Sequence, residues 1–127
     1  MSNERTRIHG VHTVAVPVAD QNRALAFYVD TLGFETRRNV PMGDTGRWIE
    51  VAPPGAVTTI ALVPASDASP AGQATGIRLA SGDAQADHVA LAARGVDADE
   101  LLRWPGVPTM FEFRDPDGNG LVVVDTP

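Results

Sequence analysis

The stretch Val16-Pro-Val-Ala-Asp-Gln-Asn-Arg-Ala-Leu-Ala-Phe-Tyr-Val-Asp-Thr-Leu-Gly-Phe-Glu35 decides the fold. It opens on the end of an alternating segment, Val11 to Val18, in which Val14, Val16 and Val18 are separated by Ala15 and Pro17. That is the period of a β-strand, and Pro17 points to an edge position or a strand end. Asp20 carries the side chain of a helix N-cap, and Arg23 to Leu32 places Ala24, Leu25, Tyr28, Val29 and Leu32 at helical spacing. Gly33 suits the left-handed residue that ends a helix. The unit reads strand, cap, helix, stop.

Working outward, Phe34 to Val40, Arg47 to Val51 and Val57 to Val63 read as strands, with turns at Met42–Gly46 and Pro53-Pro54-Gly55. Ala65 to Ala74 is rich in small residues and proline, without periodicity, and reads as a linker. The order then recurs: Ile77 to Ala80 as a strand, Asp83 as a cap, Ala84 to Arg94 as a helix and Gly95 as its stop. Strands follow at Thr109 to Arg114 and Leu121 to Val124, around the turn Asp115-Pro116-Asp117-Gly118-Asn119. Two units of nearly equal length imply a duplication of the α+β class. The expected division is a first unit over 8–64, a linker over 65–74 and a second unit over 75–126, together one compact domain. Each unit is β-α followed by two or three antiparallel strands, with a helix on one sheet face and the other face open.

Composition narrows the function. The chain has 127 residues, no cysteine and a net charge of −6. Disulfide scaffolds, thiolate metal sites and cysteine nucleophiles are excluded, and the acidic balance argues against a nucleic-acid partner. The start is polar and no apolar run approaches the roughly 18 residues of a membrane span, so no membrane partner and a cytoplasmic location are expected. There is no Gly-x-Gly-x-x-Gly or phosphate-binding loop and no serine in a nucleophile-elbow context, so no cofactor is expected.

The stretch Val16–Glu35 resembles the first unit of the vicinal oxygen chelate superfamily, which contains glyoxalase I, extradiol dioxygenases, fosfomycin-resistance enzymes and bleomycin-resistance proteins. Phe113-Arg-Asp-Pro-Asp-Gly-Asn119 resembles its last hairpin and Ala93-Arg-Gly-Val96 its second helix stop. The resemblance runs from about Ile8 to Asp125. It implies two tandem βαβββ units whose curved mixed sheet surrounds a cleft, often completed by a second subunit, so a homodimer is expected.

Metalloenzymes of that family take one ligand, usually His or Glu, from each of four strands. The resemblance places those positions at Thr13, Ala61, Gly76 or Ile77, and Val122; His12 is one residue out of step with the first. Adjacent strand residues face opposite sides of a sheet, and none of the four is a usual ligand for a divalent cation. No inherited metal site is expected.

Period-two alternation assigns faces. If Val14 and Val16, Ile60 and Leu62, Ile77 and Leu79, Phe111 and Phe113, and Leu121 and Val123 lie beneath the helices, then Thr13, Ala15, Thr59, Ala61, Arg78, Met110, Glu112, Val122 and Val124 face the cleft. In Arg47-Trp-Ile-Glu-Val51 the same rule buries Ile49 and Val51 and turns Trp48 and Glu50 to the cleft. The expected ligand-binding set is therefore Thr13, Trp48, Glu50, Arg78, Met110, Glu112 and Val122, with Glu112 the candidate catalytic group. Each has a plainer alternative: Trp48 as sheet cover, Glu50 as a solvated edge residue, and Glu112 with Arg78 as a structural ion pair. Phe27 and Tyr28 are assigned to the core, His88 to the surface, and Arg37 and Arg38 to a solvated strand end.

Besides a dimeric scaffold protein whose cleft is vestigial, two functions stay open at this point. One is a binder of a small aromatic or cationic molecule in a cleft without the inherited metal. The other is an enzyme of the same superfamily, using Glu112 as a general base or an unusual metal set of His12, Glu50 and Glu112.

Overall fold

A computed structural model of the chain describes residues 4–126. Strand β1 (Thr13–Val18) leads into helix α1 (Gln21–Ala26), whose N-cap is Asp20: its Oδ1 accepts the Arg23 N–H at 3.1 Å. The helix continues as a π-turn over Phe27–Thr31 and stops at Gly33, which has φ +81°. Strands β2 (Glu35–Pro41), β3 (Arg47–Ala52) and β4 (Thr59–Pro64) complete the first unit. The second repeats it with β5 (Ala74–Ser81), α2 (Ala84–Ala93) capped by Asp83, β6 (Asp97–Ala98), β7 (Met110–Arg114) and β8 (Gly120–Asp125).

Each unit forms one four-stranded mixed sheet, in the orders β1-β4-β3-β2 and β5-β8-β7-β6. The first and last strands of each unit pair in parallel and the remaining neighbours antiparallel. These are two tandem βαβββ units. Pro17 lies on β1, an edge strand, where a missing N–H breaks no ladder on the open side. Three details differ from the sequence reading. The first helix changes to π geometry at Phe27, strand β5 begins at Ala74, inside the expected linker, and β6 is a two-residue strand too short for any period to reveal.

Both sheets turn their helix-bearing faces to one core. Val16, Val18, Ile49, Val51, Ile60 and Leu62 from the first sheet, and Phe111, Phe113, Leu121 and Val123 from the second, are buried there with Ala24, Tyr28, Ala84 and Leu91 from the helices. Phe27 reaches Phe113 across the unit boundary, with ring centroids 6.4 Å apart. Burial of each large side chain contributes roughly 1.5–3 kcal/mol.

The hairpin between β7 and β8 clamps the units together. Tyr28 Oη donates to Asp115 Oδ2 at 2.9 Å, and Asn119 Nδ2 donates to the Pro17 carbonyl at 2.8 Å. Asp117 Oδ1 accepts the Ala19 N–H at 3.0 Å and the Arg23 guanidinium at 2.9 Å. Asp115 Oδ1 accepts the Asp117 and Asn119 amides of its own turn. The two helix-bearing faces share this core, and one hollow of about 290 Å³ draws on both units, lined by Val14, Thr59 and Ile60 from the first and by Ile77, Arg78 and Leu79 from the second.

Candidate functional site

Three side chains of the expected set, Thr13, Trp48 and Glu50, lie on the open face of the first sheet, and a hydrogen-bond chain through Thr59 connects them. Trp48 and Glu50 are two apart on β3, on the same side of the strand. The Trp48 indole donates to Glu50 Oε2 at 2.7 Å, and the Thr59 hydroxyl donates to Glu50 Oε1 at 2.6 Å. Thr59 stands beside Thr13 in the β1–β4 register, their hydroxyl oxygens 2.8 Å apart. At the rim, the exposed His12 brings Nε2 to 3.9 Å from Glu50 Oε1.

Glu50 is 6% exposed, so it is not the solvated edge residue that sequence allowed; β3 is an inner strand with β2 and β4 on either side. Its carboxyl is held below its ordinary range. The Thr59 and Trp48 hydrogen bonds do most of this, His12 and Arg38 add to it, and burial works against it. Trp48 is half-buried, oriented by the bond it donates.

The open face of the second sheet carries the rest. Arg78, Val122 and Glu112 form a row across β5, β8 and β7, with Met110 opposite Val124 one step along. The expected Arg78–Glu112 ion pair is not formed. Glu112 Oε2 accepts from Arg114 at 3.0 Å, and Val122 separates Glu112 from Arg78. Arg114 binds Asp97 and Asp99 as well, so it draws Glu112 along its own strand. The unusual metal set is likewise divided: His12 and Glu50 are neighbours, whereas Glu112 is on the other sheet. Among the described residues no three His, Asp or Glu side chains are grouped to hold a metal ion.

Period-two reading missed Trp104. It lies in the β6–β7 connection, 66% exposed, and forms with Leu102, Val107, Pro108 and Met110 an apolar hollow of about 140 Å³. Met110 joins this hollow to the open face of the second sheet. The signal was a bulky aromatic in Trp104-Pro105-Gly106, a turn context that offers it no core. His88, assigned to the surface, is half-buried: its Nε2 lies 2.8 Å from the Asp99 carbonyl oxygen and its ring meets Phe111 edge-on.

A family model of the Glyoxalase/Bleomycin resistance protein/Dioxygenase superfamily matches residues 10–123. The chain belongs to that superfamily. It is 37% identical to the crystal structure of TnmS3, an antibiotic-binding protein from Streptomyces sp. CB03234, with 97% of this chain and all of that chain covered and a TM-score of 0.87. A superfamily member from Sphaerobacter thermophilus DSM 20745 is 35% identical, with 95% of this chain and all of that chain covered and a TM-score of 0.88. The uncharacterized protein YetH of Bacillus subtilis (strain 168) is 31% identical over 116 residues, 88% of this chain and 94% of that protein.

At the four positions that the resemblance assigns to metal ligands, Thr13, Ala61, Gly76 or Ile77, and Val122, the residues present do not suit a divalent cation. Thr13 engages its hydroxyl with Thr59, Ala61 is a buried methyl, Gly76 has no side chain and Val122 has no donor atom. Metal chemistry of the superfamily's enzymes therefore finds no matching donor set at these four positions.

Proposed function

We propose that this protein binds and sequesters a small aromatic molecule, without a metal, in a cleft that two copies form together. The carrying observation is the Trp48–Glu50 pair. An indole on an open sheet face is held in place by a buried, ionised carboxylate, and no arginine side chain donates a hydrogen bond to that carboxylate. Such a pair offers a stacking wall beside an acceptor for a cationic or hydrogen-bond-donating group. The likeness to an antibiotic-binding protein supports the reading.

The packing supports a second copy. Each chain presents two open faces and four edge strands, β1, β2, β5 and β6, each unpaired on one side within its sheet. A homodimer that sets the first sheet of one copy against the second sheet of the other encloses both faces and covers the exposed apolar Trp104, Leu102 and Val107. Its working place is the cytoplasm, in keeping with a cysteine-free chain. The enzymic alternative has less support, because Arg114 and the β7 strand direct Glu112 away from a free position as a general base.

Calorimetric titration with 2-naphthylmethanol and 2-naphthylmethylammonium tests the proposal. Saturable binding of one molecule per site, weakened in Trp48→Ala, is the expected result. Failure of both probes to bind at millimolar concentration overturns it.

A further inference from the structure

The second open face carries a cation that the structure keeps free. The second unit is strongly acidic: residues 65–127 hold four arginines against ten Asp and Glu, while residues 1–64 balance six against six. The other three arginines of this half are engaged: Arg114 binds three carboxylates, Arg94 donates to the Thr31 carbonyl and Arg103 to Gln85. Arg78 forms no ion pair among the described residues, where its one side-chain hydrogen bond goes to the carbonyl of Gly76 at 3.3 Å.

Two features maintain that state. Glu112, the nearest carboxylate on the same row, is turned toward Arg114 and lies flat over Gly120. A Cβ at position 120 would stand 2.8 Å from Glu112 Oε1, so the glycine supplies the space that lets the carboxylate lie away from Arg78. The second feature is an irregularity in β5. Ala74 pairs with Gly120 and Arg78 with Val122, so the strand spends two extra residues between these pairs. Gly76 there has φ +76°, a left-handed conformation that a side chain disfavours. Thr75 fills the broken ladder, donating to the Gly120 carbonyl at 2.7 Å and accepting from the Ile77 N–H at 3.1 Å. Bulges of this kind re-aim the side chains that follow them.

We infer that Arg78 is an anion-recognition group, and that the ligand is an aromatic molecule carrying a carboxylate or a comparable pair of negatively charged oxygens. The guanidinium fork offers two parallel donors to such a pair, beside the apolar side chain of Val122 on the adjacent strand. The inference rests on the reading of the open faces as a site for aromatic ligands. It adds to the acceptor pole at Glu50 a donor pole on the opposite wall.

The test is calorimetric titration of the intact protein and of Arg78→Gln and Arg78→Lys with 2-naphthoate and its neutral analogue 2-naphthylmethanol. The wild type should bind the carboxylate about tenfold more tightly than the alcohol, a margin within reach of one bidentate charge-assisted pair. Arg78→Gln should erase that preference while moving the alcohol's affinity less than about twofold, and Arg78→Lys should keep part of it. If the alcohol binds and the carboxylate shows no advantage, or Arg78→Gln leaves the advantage intact, the anion role of Arg78 is wrong and the aromatic site stands. If neither compound binds while 2-naphthylmethylammonium does, the anion role of Arg78 is wrong and the aromatic site stands; if none of the three binds, both readings fall.

Discussion

The indole N–H of Trp48 and the carboxylate of Glu50 meet at 2.7 Å on the open side of β3. Their two-residue spacing places them on one face, and the bond fixes the ring without any packing from a helix. Glu50 in return has both oxygens occupied by donors, Trp48 on one and Thr59 on the other. An exposed sheet face has thereby acquired an oriented aromatic surface and a fixed negative charge.

Trp48→Ala should weaken an aromatic ligand by roughly 1–3 kcal/mol, the loss of one stacking partner. Calorimetry with 2-naphthylmethylammonium measures it. A variant that binds as tightly as the wild type would remove Trp48 from the site.

Glu50→Gln should reduce stability by roughly 1–3 kcal/mol near pH 7, because an amide accepts less strongly from Trp48 and Thr59 and presents a donor to one of them. The sign of the pH dependence follows from the depressed folded value. The carboxylate's contribution is fully present above the unfolded value of about 4.3 and is lost as pH falls through the lower folded one. Urea midpoints of the two proteins should therefore differ at neutral pH and converge in acid. A gap that stays constant down to pH 3 would contradict the assignment.

Tyr28 is the one tyrosine of the chain, buried against Asp115. Burial, followed by the charge of Asp115, raises its phenol far above the ordinary value of about 10. The folded protein should show no tyrosinate absorbance at alkaline pH until it unfolds. The contribution of this group is fully present below pH 10 and declines as pH rises beyond it, since the unfolded chain then releases the proton first. Tyr28→Phe should cost about 1.5–3 kcal/mol at neutral pH, the range for a hydrogen bond to a charged group, read as a shift in the denaturation midpoint.

Light scattering at micromolar concentration should give about twice the 13.4 kDa chain mass. A Trp104→Glu, Val107→Glu variant should shift that mass toward the monomer, because two charges would enter the surface that the second copy covers. A wild-type monomer at these concentrations would leave the two open faces without their proposed partner.

Elemental analysis of the purified protein should find less than stoichiometric zinc, nickel, iron and manganese. About one metal per chain, lost in His12→Ala, would show that His12 and Glu50 recruit an ion from outside the inherited positions.

Much of this molecule was written locally. Asp20 and Asp83 cap helices because a short carboxylate satisfies the free amides of a first turn, and Gly33 and Gly95 stop them because their φ is positive. The alternation of Arg47–Val51 put Ile49 and Val51 in the core and Trp48 and Glu50 on the open side, as pleating requires. Such signals act over a few residues, and a sequence displays them directly.

The assembly of the site was not legible in that way. Whether two open faces meet depends on how the units pack, and that is decided by Tyr28 on Asp115 and Asn119 on Pro17, contacts between residues 87 and 102 positions apart. No period encodes such a pairing. The partner of Glu112 was equally hidden: Arg114, on its own strand, is closer than Arg78 across the sheet, and Gly120 leaves space for the carboxylate to turn that way. In a regular strand such as β3 the sequence alone determines the side a residue occupies, because side-chain direction alternates with the backbone. Tertiary structure decided which side chains share a site, because that depends on the docking of two separately patterned sheets through one common core.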